Sequence, residues 1–559
     1  MDTKTLTAAL SVAPQITPLD LKALREAGFR SVICNRPDGE AADQPGFEEI
    51  ARAAHDQGLH CHYLPAESGK VTDAQAAAFG VLMAELPKPV LAYCRTGMRS
   101  TTMWALSQAG QLPLAQIIER AAGAGFDLKG VVRRIVNGGK TPVEVADATH
   151  DVVIIGGGAA GIAVASSLLA RSPQLDIALI DPADIHYYQP GWTLVGGGVF
   201  KPATTARTMA SVLPQGVHWI KSAVAAFEPE RDAVILDGCR VVRYKQLVVC
   251  PGLKLDWHGI EGLAETLGRH GVTSNYRYDL APYTWHLVQQ LHRGRAIFSQ
   301  PPMPIKCAGA PQKAMYLSAD HWRRQGVLGA IDIQFCSAGP VLFGVPDYVP
   351  ALMEYVQAYD IHLNFGQTLV SVDGPARKAV FSQTQADGSK SLVTREFDML
   401  HAVPPQKAPD FIRVSPLADA AGWIDVDQAT LRHKRYANVY GLGDAASTPN
   451  AKTAAAARKQ APVVAHNLLA GLAGAGAATR GEARYDGYGS CPLTVARGKI
   501  VLAEFSYGGK LAPSFPKWLI DGTRPSALAW YLKERILPPL YWDGMLKGRE
   551  WLAQPEMVG

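Results

Sequence analysis

Helical patterns alternate with short apolar runs over residues 17–127. The segments LDLKALREAG, FEEIARAAHDQG and DAQAAAFGVLMAEL are predicted helices, and RSVICN, HCHYLP and PVLAYC are predicted strands. Strands that alternate with helices predict a small α/β domain, which we place at 1–136. Residues 137–150, NGGKTPVEVADATH, lose this periodicity and are rich in Gly, Pro and charged residues, so they are predicted to form a linker.

A second α/β region is predicted over 151–480. It opens with DVVIIGGGAAGIAVASSLLA, in which an apolar strand leads into a glycine-rich turn and a helix. The segment GAIDIQFCSAGPVLFG is similar to the strand and turn of a second nucleotide-binding fold, inserted in this region, but it lacks GxGxxG. The predicted fold class is therefore α/β, with two Rossmann-like domains after the N-terminal domain and a doubtful pyridine nucleotide site in the second.

The last segment, 481–559, is rich in aromatic and basic residues. Apolar side chains recur there at helical spacing, at Leu528, Tyr531, Leu532 and Ile536. The charged residues of the same stretch lie elsewhere, at Lys533, Glu534 and Arg535. Pro538 and Pro539 are expected to break this stretch into two short amphipathic helices.

The same segment contains four of the eleven tryptophans of the chain, at Trp518, Trp530, Trp542 and Trp551. Tryptophan and basic residues beside amphipathic helices favour a segment that lies in a membrane interface without crossing it. A C-terminal helix pair that packs on its own domain or on a partner chain is the alternative.

The overall composition excludes several classes of protein. A chain of 559 residues is expected to form two to four domains, and 48% hydrophobic with 19% charged residues is typical of a folded protein. A net charge of +5 is too small to favour a nucleic-acid partner. Eight scattered cysteines predict neither a disulfide framework nor a zinc site. Without a signal-like or spanning segment, we expect a cytoplasmic protein, peripheral on the inner face of the cell membrane.

The strand at 151–155 is followed by the dinucleotide-binding pattern GxGxxG. Gly156, Gly158 and Gly161 allow a tight turn and close approach of a pyrophosphate, and the helix that begins near Ala159 points its N-terminus at the phosphates. The next strand, DIALID, ends at Asp181, where a carboxylate is placed to accept hydrogen bonds from ribose hydroxyls. A purely structural glycine turn is the alternative.

A second short motif favours FAD over NAD as the nucleotide. The segment YANVYGLGDAA resembles the apolar strand and Gly-Asp pair of the two-dinucleotide-fold flavoproteins, in which the Asp holds the ribityl chain, and it places Asp444 in that position. The later segment KTAAAARKQ predicts a helix whose small first residues let its positive end approach a flavin carbonyl. An alanine-rich core helix is the alternative for this segment.

Six separated motifs, in order, resemble sulfide:quinone oxidoreductases of the mitochondrial and bacterial type over about residues 150–550. They are HYYQPGWTLVGGG, PIKCAGAPQKAMYLS, AGWIDVD, KTAAAARKQ, YDGYGSCPL and LAEFSYGG. The resemblance implies a membrane-surface FAD enzyme that oxidises sulfide to a cysteine-bound persulfide and passes two electrons to a quinone. It also implies cofactor contacts by Gln189, Gly252 and Lys452, and a quinone pocket lined by Phe505 and Tyr507.

In that family two cysteines flank the flavin and form a redox disulfide. Cys307 matches the first cysteine, but Ala445 stands directly after the Gly-Asp pair, where the second is expected. Because a single thiol offers sulfide no electrophile, the family's mechanism cannot run unchanged. Cys307 is expected to pair with Cys250 or Cys336, to arrive already sulfurated, or to depend on an outside thiol; a merely packed cysteine is the remaining alternative.

The N-terminal domain contains a separate candidate nucleophile in VLAYCRTGMRS. A strand ends at Cys94, and a short polar loop leads to Arg99 and a helix, so backbone NH groups and the guanidinium form an anion cradle that favours a thiolate. The spacing C-x4-R is that of rhodaneses, whereas tyrosine phosphatases use C-x5-R. GFRSVICNRPDGE and Ser100 resemble a phosphatase-like family of sulfurtransferases.

Together these motifs predict FAD-dependent oxidation of sulfide to sulfane sulfur with a quinone as electron acceptor, and sulfur transfer by the N-terminal domain. The expected partners are sulfide, a quinone, a small thiol or persulfide acceptor and a membrane surface, and self-association is left open. Phosphate ester hydrolysis or an inert loop is the alternative for the Cys94 site. A flavin-dependent persulfide or disulfide reductase that uses NADH, or a sensor without turnover, is the alternative for the whole chain.

Overall fold

The structure, a computed structural model, describes residues 2–142, 148–385, 387–473 and 481–558. The described residues form two compact units: the first comprises those of Met1–Ala148, Ala223–Arg243 and Asp410–Pro416, and the second comprises the rest. Residues 143–147 of the predicted linker lie outside the described residues, and so does 474–480, at the predicted boundary before the C-terminal segment.

The first unit is built on a five-stranded sheet in the order β1-β2-β5-β3-β4. The strands are β1 (Lys4–Thr7), β2 (Leu10–Ala13), β3 (Ser31–Cys34), β4 (His60–Tyr63) and β5 (Val90–Tyr93). The helices are α1 (Asp20–Glu26), α2 (Phe47–Asp56), α3 (Asp73–Glu85), α4 (Met98–Ser107), α5 (Leu114–Gly123) and α6 (Val132–Val136). Strand β5 is parallel to both neighbours and buried along its whole length, which explains its uninterrupted apolar sequence.

The strands that follow along the chain belong to a nucleotide-binding fold and its insertions. They are β6 (Ala148–Ile155), β7 (Ile177–Ile180), β8 (Ile185–Tyr187), β9 (Ala206–Thr208), β10 (Val217–Ile220), β11 (Val224–Glu228), β12 (Ala233–Leu236), β13 (Val241–Val249), β14 (Lys254–Leu255), β15 (Val272–Thr273), β16 (Gly294–Gln300), β17 (Ile331–Ser337), β18 (Ile361–Phe365), β19 (Gln367–Asp373), β20 (Lys378–Thr384), β21 (Lys390–Glu396), β22 (Met399–His401), β23 (Gln406–Lys407), β24 (Val439–Gly441), β25 (Glu482–Arg484), β26 (Gly489–Ala496), β27 (Lys499–Phe505) and β28 (Glu556–Val558).

The helices of the same part of the chain cover these sheets or connect their strands. They are α7 (Ala159–Arg171), α8 (Trp192–Gly196), α9 (Met209–Val212), α10 (Leu263–Thr266), α11 (Ala281–Gln290), α12 (Ala310–Arg324), α13 (Val349–Ala358), α14 (Asp410–Arg413), α15 (Ala454–Ala473), α16 (Ala527–Tyr531) and α17 (Leu537–Pro539). Helices α7 and α15 share one buried apolar cluster with β6 and β7.

Two sheets organise the second unit, and their parallel pairs fit the two Rossmann-like domains predicted from the sequence. In the first, β6 and β10 flank β7, and β24 pairs with the end of β13. The second has the order β15-β22-β16-β17-β18, with every pair parallel. Ligands of such sheets bind beyond the carboxyl ends of the strands. Ligand-binding and catalytic residues are therefore expected in the loops after β6, β16 and β24.

The C-terminal helical run differs from the expectation that prolines break it. Residues 527–547 stay helical throughout, because wide π-helical turns at Leu532–Ile536 and Leu540–Gly544 surround the prolines in α17. A π turn replaces the i→i+4 backbone hydrogen bonds of an α-helix with i→i+5 bonds. The wider turn leaves room for the proline rings and does not need the NH groups that prolines lack. None of the helices in the described ranges has both the length and the apolar composition that crossing a bilayer requires.

The side chains of this run are distributed differently from the predicted amphipathic pattern. Lys533, expected away from the apolar side, is buried, and its ammonium donates to the carbonyl of Pro190. Trp530 and Trp542 are buried in the core, whereas Trp518 is 84% exposed. Part of the segment therefore completes the core of the second unit, and part of its apolar surface remains in solvent.

A buried hydrogen-bonded pair fastens the C-terminal run to the nucleotide-binding domain. The ring of His186 lies 2.9 Å from the carbonyl of Gly157 through Nδ1 and 2.6 Å from the Tyr541 hydroxyl through Nε2. Burial lowers the pKa of His186, so the neutral ring donates from Nδ1 and accepts from the tyrosine. The glycine turn and the C-terminal segment are thus held by the same side chain.

Candidate active site

The glycine-rich turn between β6 and α7 is shaped to admit a pyrophosphate. Gly156 has φ +104°, and a Cβ atom there would lie 2.7 Å from the carbonyl oxygen of Cys250. A Cβ atom at Gly161 would overlap the carbonyl oxygen of Gly156, so both positions require glycine. At Gly158, which caps α7, a Cβ would meet no atom within 4 Å. The N-terminus of α7, where Ala159 begins the helix, therefore faces open space that suits a phosphate group.

Asp181, directly after β7, is fixed beside this turn. One carboxylate oxygen accepts from the Gly157 amide at 2.6 Å, and the other accepts from the Ala183 amide at 2.8 Å. Each oxygen retains a lone pair for a further donor. The carboxylate thus anchors the glycine turn and remains able to accept from a ribose hydroxyl.

The Gly-Asp motif forms a loop after β24 that Lys452 holds in shape. The Lys452 ammonium donates to the carbonyls of Asp444 at 2.9 Å and Ala446 at 2.8 Å. Burial lowers its pKa to about 8 and raises the pKa of the Asp444 carboxyl. Lys452 therefore fixes the backbone conformation of the loop that contains Asp444.

The loop that carries Cys307 is joined directly to this motif. The Cys307 amide donates to the Lys452 carbonyl at 2.9 Å, and the Lys306 ammonium donates to Gln189 at 2.6 Å. The structure therefore brings together Gln189, Lys452 and Cys307, which the sequence places far apart. Gly252, predicted to contact the cofactor, has φ +81°, and a Cβ atom there would meet no atom within 4 Å.

Three buried polar atoms around these loops lack a partner among the described residues. They are Nε1 of Trp192, Nε2 of Gln406 and Oγ1 of Thr448. Lys306 contacts two of these residues, because its amide donates to Gln406 at 2.7 Å and its ammonium lies 5.7 Å from the centre of a Trp192 ring. Buried polar groups are normally hydrogen-bonded, so these atoms fit a polar ligand such as the ring and ribityl chain of a flavin.

Cys307 faces a second cysteine, Cys491, which lies on β26. Their sulfur atoms are 3.8 Å apart, and the Lys313 ammonium donates to the Cys307 sulfur at 3.0 Å. Lys313, in the first turns of α12, is only 2% exposed. The hydrogen bond from Cys491 and then the charges of Lys313 and Lys533 lower the pKa of Cys307 well below its usual value. The pKa of Cys491 is raised, chiefly by the same hydrogen bond.

This arrangement corrects the expected partners of Cys307. Cys250 lies instead under the glycine turn, where its sulfur is 3.9 Å from the Gly156 carbonyl, and Cys336 lies inside β17 in a separate apolar cluster. Cys491 stands in the motif YDGYGSCPL, but nothing in that motif indicates which residue it faces. Lys313 and Lys533 were likewise missed, because their positions resemble those of ordinary helical lysines.

The two residues expected to line a quinone pocket pack against different apolar clusters. Phe505, at the end of β27, packs on the apolar cluster that contains Cys491 and against which Cys307 also packs. Tyr507 packs on the cluster of the first nucleotide-binding domain, and its hydroxyl donates to the Gln428 carbonyl at 2.8 Å. Phe505 is therefore in the apolar surroundings of the cysteine pair, whereas Tyr507 has a structural hydrogen bond.

The N-terminal candidate site has the predicted strand-loop-helix form. Cys94 follows β5, Gly97 caps α4 with φ +88°, and the Gly97 amide donates to the Cys94 sulfur at 3.1 Å. Cys94 and Arg99 are both buried. The loop and the N-terminus of α4 thus direct NH groups at the sulfur, an arrangement that stabilises an anion there.

Arg99 already has a carboxylate partner, which the sequence analysis missed. It donates to Glu40 at 2.8 Å and to the Ala66 carbonyl at 2.7 Å, and Arg36 donates to the same Glu40 oxygen at 2.7 Å. The hydrogen bond from Arg99 is the main cause that lowers the pKa of Glu40. Glu40 lies in a loop after β3, so only the fold brings it to the Cys94 loop.

Comparisons with known proteins agree with both parts of the chain. The family model for the phosphatase-like domain of beta-lactamase hydrolase-like proteins matches residues 2–111, and that for pyridine nucleotide-disulphide oxidoreductases matches residues 150–288. The beta-lactamase hydrolase-like protein of Agrobacterium fabrum is 35% identical over 126 residues, which are 22% of this chain and 29% of that protein. The N-terminal domain is accordingly phosphatase-like.

The fold and site of the second unit define a two-dinucleotide-domain flavoprotein oxidoreductase. Mitochondrial sulfide:quinone oxidoreductase of Dictyostelium discoideum is 40% identical over 406 residues, which are 72% of this chain and 87% of that protein. The chain therefore belongs to the sulfide:quinone oxidoreductase family. The solved structure of the Aquifex aeolicus member shares the fold, with a TM-score of 0.58 and 19% identity over 71% of this chain and 92% of that chain.

Membership of this family confirms the resemblance, the fold class and the FAD cofactor predicted from the sequence. Gly156, Gly158, Asp181 and Asp444 are the residues that would hold the dinucleotide. When bound, FAD supplies an acceptor for two electrons. The chain itself supplies the glycine turn, the loop around Asp444 and a thiol whose pKa is lowered by the Cys491 hydrogen bond and the nearby lysines.

We expect Lys313→Met to make Cys307 less reactive near neutral pH. The substitution removes the adjacent ammonium, so the pKa of Cys307 should rise, and each unit of rise lowers the thiolate fraction below that pKa by about tenfold. Iodoacetamide labelling of Cys307, followed by peptide mass spectrometry across a pH series, measures this shift. Lys510→Met, at an exposed lysine, is the matched control. An unchanged pH profile would contradict the role given to Lys313.

Proposed function

We propose that this protein oxidises sulfide to sulfane sulfur and passes the two electrons to a quinone. The observation that carries the proposal is the Cys307 site, where a thiol with a lowered pKa lies on a loop hydrogen-bonded to the Asp444 and Lys452 motif. A thiolate is the form of cysteine that takes part in sulfur exchange. The related protein of Dictyostelium discoideum is named for sulfide and quinone, which supports these two substrates.

Sulfide should reduce the bound flavin faster than NADH does. Rapid anaerobic mixing of the FAD-loaded protein with sulfide is expected to bleach the flavin absorbance, and addition of a short-chain quinone should restore it. NADH in the same apparatus is the comparison, because a flavin-dependent disulfide reductase would be bleached by NADH. Bleaching by NADH but not by sulfide would replace the proposed function with that alternative.

For the N-terminal domain we propose sulfur transfer through Cys94. Its Gly97 amide contact and the N-terminus of α4 suit a thiolate or a persulfide, which carry one negative charge. Arg99 is already paired with Glu40, so less of its charge is available for a phosphate dianion. The C-x4-R spacing supports the same choice. Covalent linkage to the oxidase would raise the effective concentration of the two sites to about the millimolar range, if the linker spans them.

Replacement of Cys94 separates sulfur delivery from sulfide oxidation. In Cys94→Ser, delivery of sulfane sulfur from sulfide to a small thiol should fall at least about tenfold, because the hydroxyl cannot carry a persulfide. Flavin bleaching by sulfide should be unchanged. Persulfide formed on the acceptor is measured by mass spectrometry, and Cys61→Ser, on β4 of the same domain, is the control. Undiminished delivery would reject the transfer role, and hydrolysis of p-nitrophenyl phosphate that depends on Cys94 would favour a phosphatase.

We further propose that the protein lies on the inner face of the cell membrane, where a lipid-soluble quinone can reach it. Large apolar side chains of the C-terminal segment are exposed, namely Leu511, Trp518, Leu519, Leu528, Tyr531 and Ile536. Exposed apolar and aromatic side chains favour binding at a bilayer interface. The absence of a spanning helix among the described residues leaves this surface as the candidate contact.

Membrane binding should depend on this exposed set. Trp518→Ser combined with Tyr531→Ser removes two exposed aromatic rings and should weaken binding to vesicles by about tenfold or more. Cosedimentation with vesicles of phosphatidylglycerol and phosphatidylethanolamine measures the change. Leu392→Ser, at a 72% exposed leucine on β21, is the control for a surface apolar residue elsewhere. Equal binding of the double variant and the control would reject this surface as the membrane contact.

A further inference from the structure

Two arginines and one glutamate form a charge cluster beside the Cys94 loop in the first unit. A single oxygen of Glu40, Oε2, accepts from Nη2 of Arg99 at 2.8 Å and from Nε of Arg36 at 2.7 Å. The side chains of both arginines are 7% exposed, and that of Glu40 is 24% exposed. Burial lowers the pKa of Arg99, but Glu40 and the nearby Cys94 sulfur raise it overall. The cluster is therefore close enough to act on Cys94.

The other partners of the two guanidinium groups are neutral. Nη1 of Arg99 donates to the Ala66 carbonyl at 2.7 Å, and Nη1 of Arg36 donates to the Gln15 side chain at 3.0 Å. Within the described ranges of the chain, Glu40 is thus the carboxylate that both arginines share. The hydrogen bond from Arg99 lowers the pKa of Glu40, although burial opposes this shift, so Glu40 is ionised near neutral pH.

The cluster has one positive charge in excess, because two guanidinium groups share one carboxylate. Asp38, on the same loop as Glu40, and Arg95, next to Cys94, are both exposed, so water screens their opposite charges. One negative charge at the Cys94 sulfur or on a ligand is therefore compensated. Each further negative charge has no partner in a site that is largely closed to water, and it is correspondingly costly.

The candidate sulfur donors differ in the charge that they bring to Cys94. A persulfide of a small thiol and the Cys94 thiol share one proton, so together they have a single negative charge. Thiosulfate is a dianion, and with a Cys94 thiolate it makes three negative charges. A phosphate dianion does the same. The single excess charge of the cluster matches the persulfide and leaves both dianions uncompensated.

We propose that Glu40 is a specificity-determining residue of the Cys94 site, which makes a small-thiol persulfide the sulfur donor and disfavours thiosulfate and phosphate dianions. The assignment rests on the proposed sulfur transfer through Cys94, since it names the donor for that transfer. Glu40 acts through the positive charge that it cancels on Arg36 and Arg99, and it takes no part in making or breaking bonds.

The transfer balances without an outside oxidant or reductant. The Cys94 thiolate attacks the outer sulfur of the hydropersulfide R–S–SH, a new S–S bond forms on Cys94, and the S–S bond of the donor breaks. The donor leaves as the thiolate RS⁻, and the outer sulfur arrives on Cys94 with its proton. The total charge is one negative charge before and after this step. An acceptor thiolate then takes the outer sulfur from Cys94 by the same exchange.

Glu40→Gln tests the charge alone. One oxygen of Glu40 accepts from both arginines, and an amide oxygen can accept the same two hydrogen bonds. Full-length, FAD-loaded protein is mixed with cysteine persulfide or with thiosulfate, trapped with iodoacetamide and digested. Mass spectrometry of the Cys94 peptide then gives the rate of persulfide formation at this residue.

The wild-type protein should react with cysteine persulfide at least about tenfold faster than with thiosulfate. Glu40→Gln should reduce this preference at least about tenfold, since a unit charge at hydrogen-bonding distance shifts an ionic equilibrium by about one to three pKa units. Equal rates with the two donors in the wild-type protein would overturn the assignment. An unchanged preference in folded Glu40→Gln would do the same.

Glu85→Gln is the matched control. This exposed glutamate ends α3 shortly before β5 begins, whereas Cys94 follows the other end of β5. The unfolding temperature shows whether each variant is folded. If Glu40→Gln does not fold, Arg36→Gln tests the same charge balance in the opposite direction. It removes a positive charge, so the preference for persulfide over thiosulfate should widen at least about tenfold, and an unchanged preference would overturn the assignment.

Protection by inorganic phosphate separates this inference from the function on which it rests. Phosphate bound at the loop slows alkylation of Cys94 by iodoacetamide, and no sulfur moves in this measurement. The phosphate concentration that gives half protection should be at least about tenfold lower in Glu40→Gln than in the wild-type protein. If it is, while wild-type Cys94 takes sulfur from neither donor, the exclusion of dianions by Glu40 is supported and the proposed sulfur transfer is overturned. If wild-type Cys94 takes sulfur from the persulfide while half protection is unchanged, the transfer is supported and the role of Glu40 is overturned.

Discussion

The ammonium group of Lys313, buried in the first turns of α12, is the constraint on which the Cys307 site depends. A buried cation is costly unless an anion lies beside it, and the Cys307 sulfur at 3.0 Å is the partner that the described residues provide. The charge therefore favours the thiolate, and the thiolate stabilises the charge. The positive φ of Cys307, the glycine at 309 and the bonds from Tyr276 keep the sulfur in this position.

The same loop connects sulfur chemistry to the nucleotide-binding fold. Lys452 shapes the Asp444 loop with its ammonium, and its carbonyl accepts from the Cys307 amide, so the thiol is placed relative to the flavin-binding motif by main-chain contacts. The glycine turn is anchored by Asp181 and by His186, which also receives the Tyr541 hydroxyl. The C-terminal run thus packs on the nucleotide-binding domain, and it also contains exposed apolar side chains.

The two candidate nucleophiles, Cys94 and Cys307, have different surroundings. Cys94 receives a backbone NH and the N-terminus of α4, while its neighbouring arginine is neutralised by Glu40. Cys307 receives the full charge of buried lysines. A full charge beside a buried sulfur interacts with it more strongly than the partial charges of backbone NH groups do.

Local sequence was sufficient for the backbone form of three motifs: the GxGxxG turn, the Gly-Asp loop, and the strand-loop-helix that contains Cys94 and Arg99. Their backbone conformations are set by glycines and strand ends that neighbouring residues already specify. Only the tertiary structure decided the partner of Cys307, which is 184 residues away along the chain, and the roles of Lys313, Lys533 and Glu40. A contact between residues so far apart in the chain depends on how β26 and α12 pack. Hydrophobic periodicity predicts these elements, but it does not predict which of their buried polar groups come into contact.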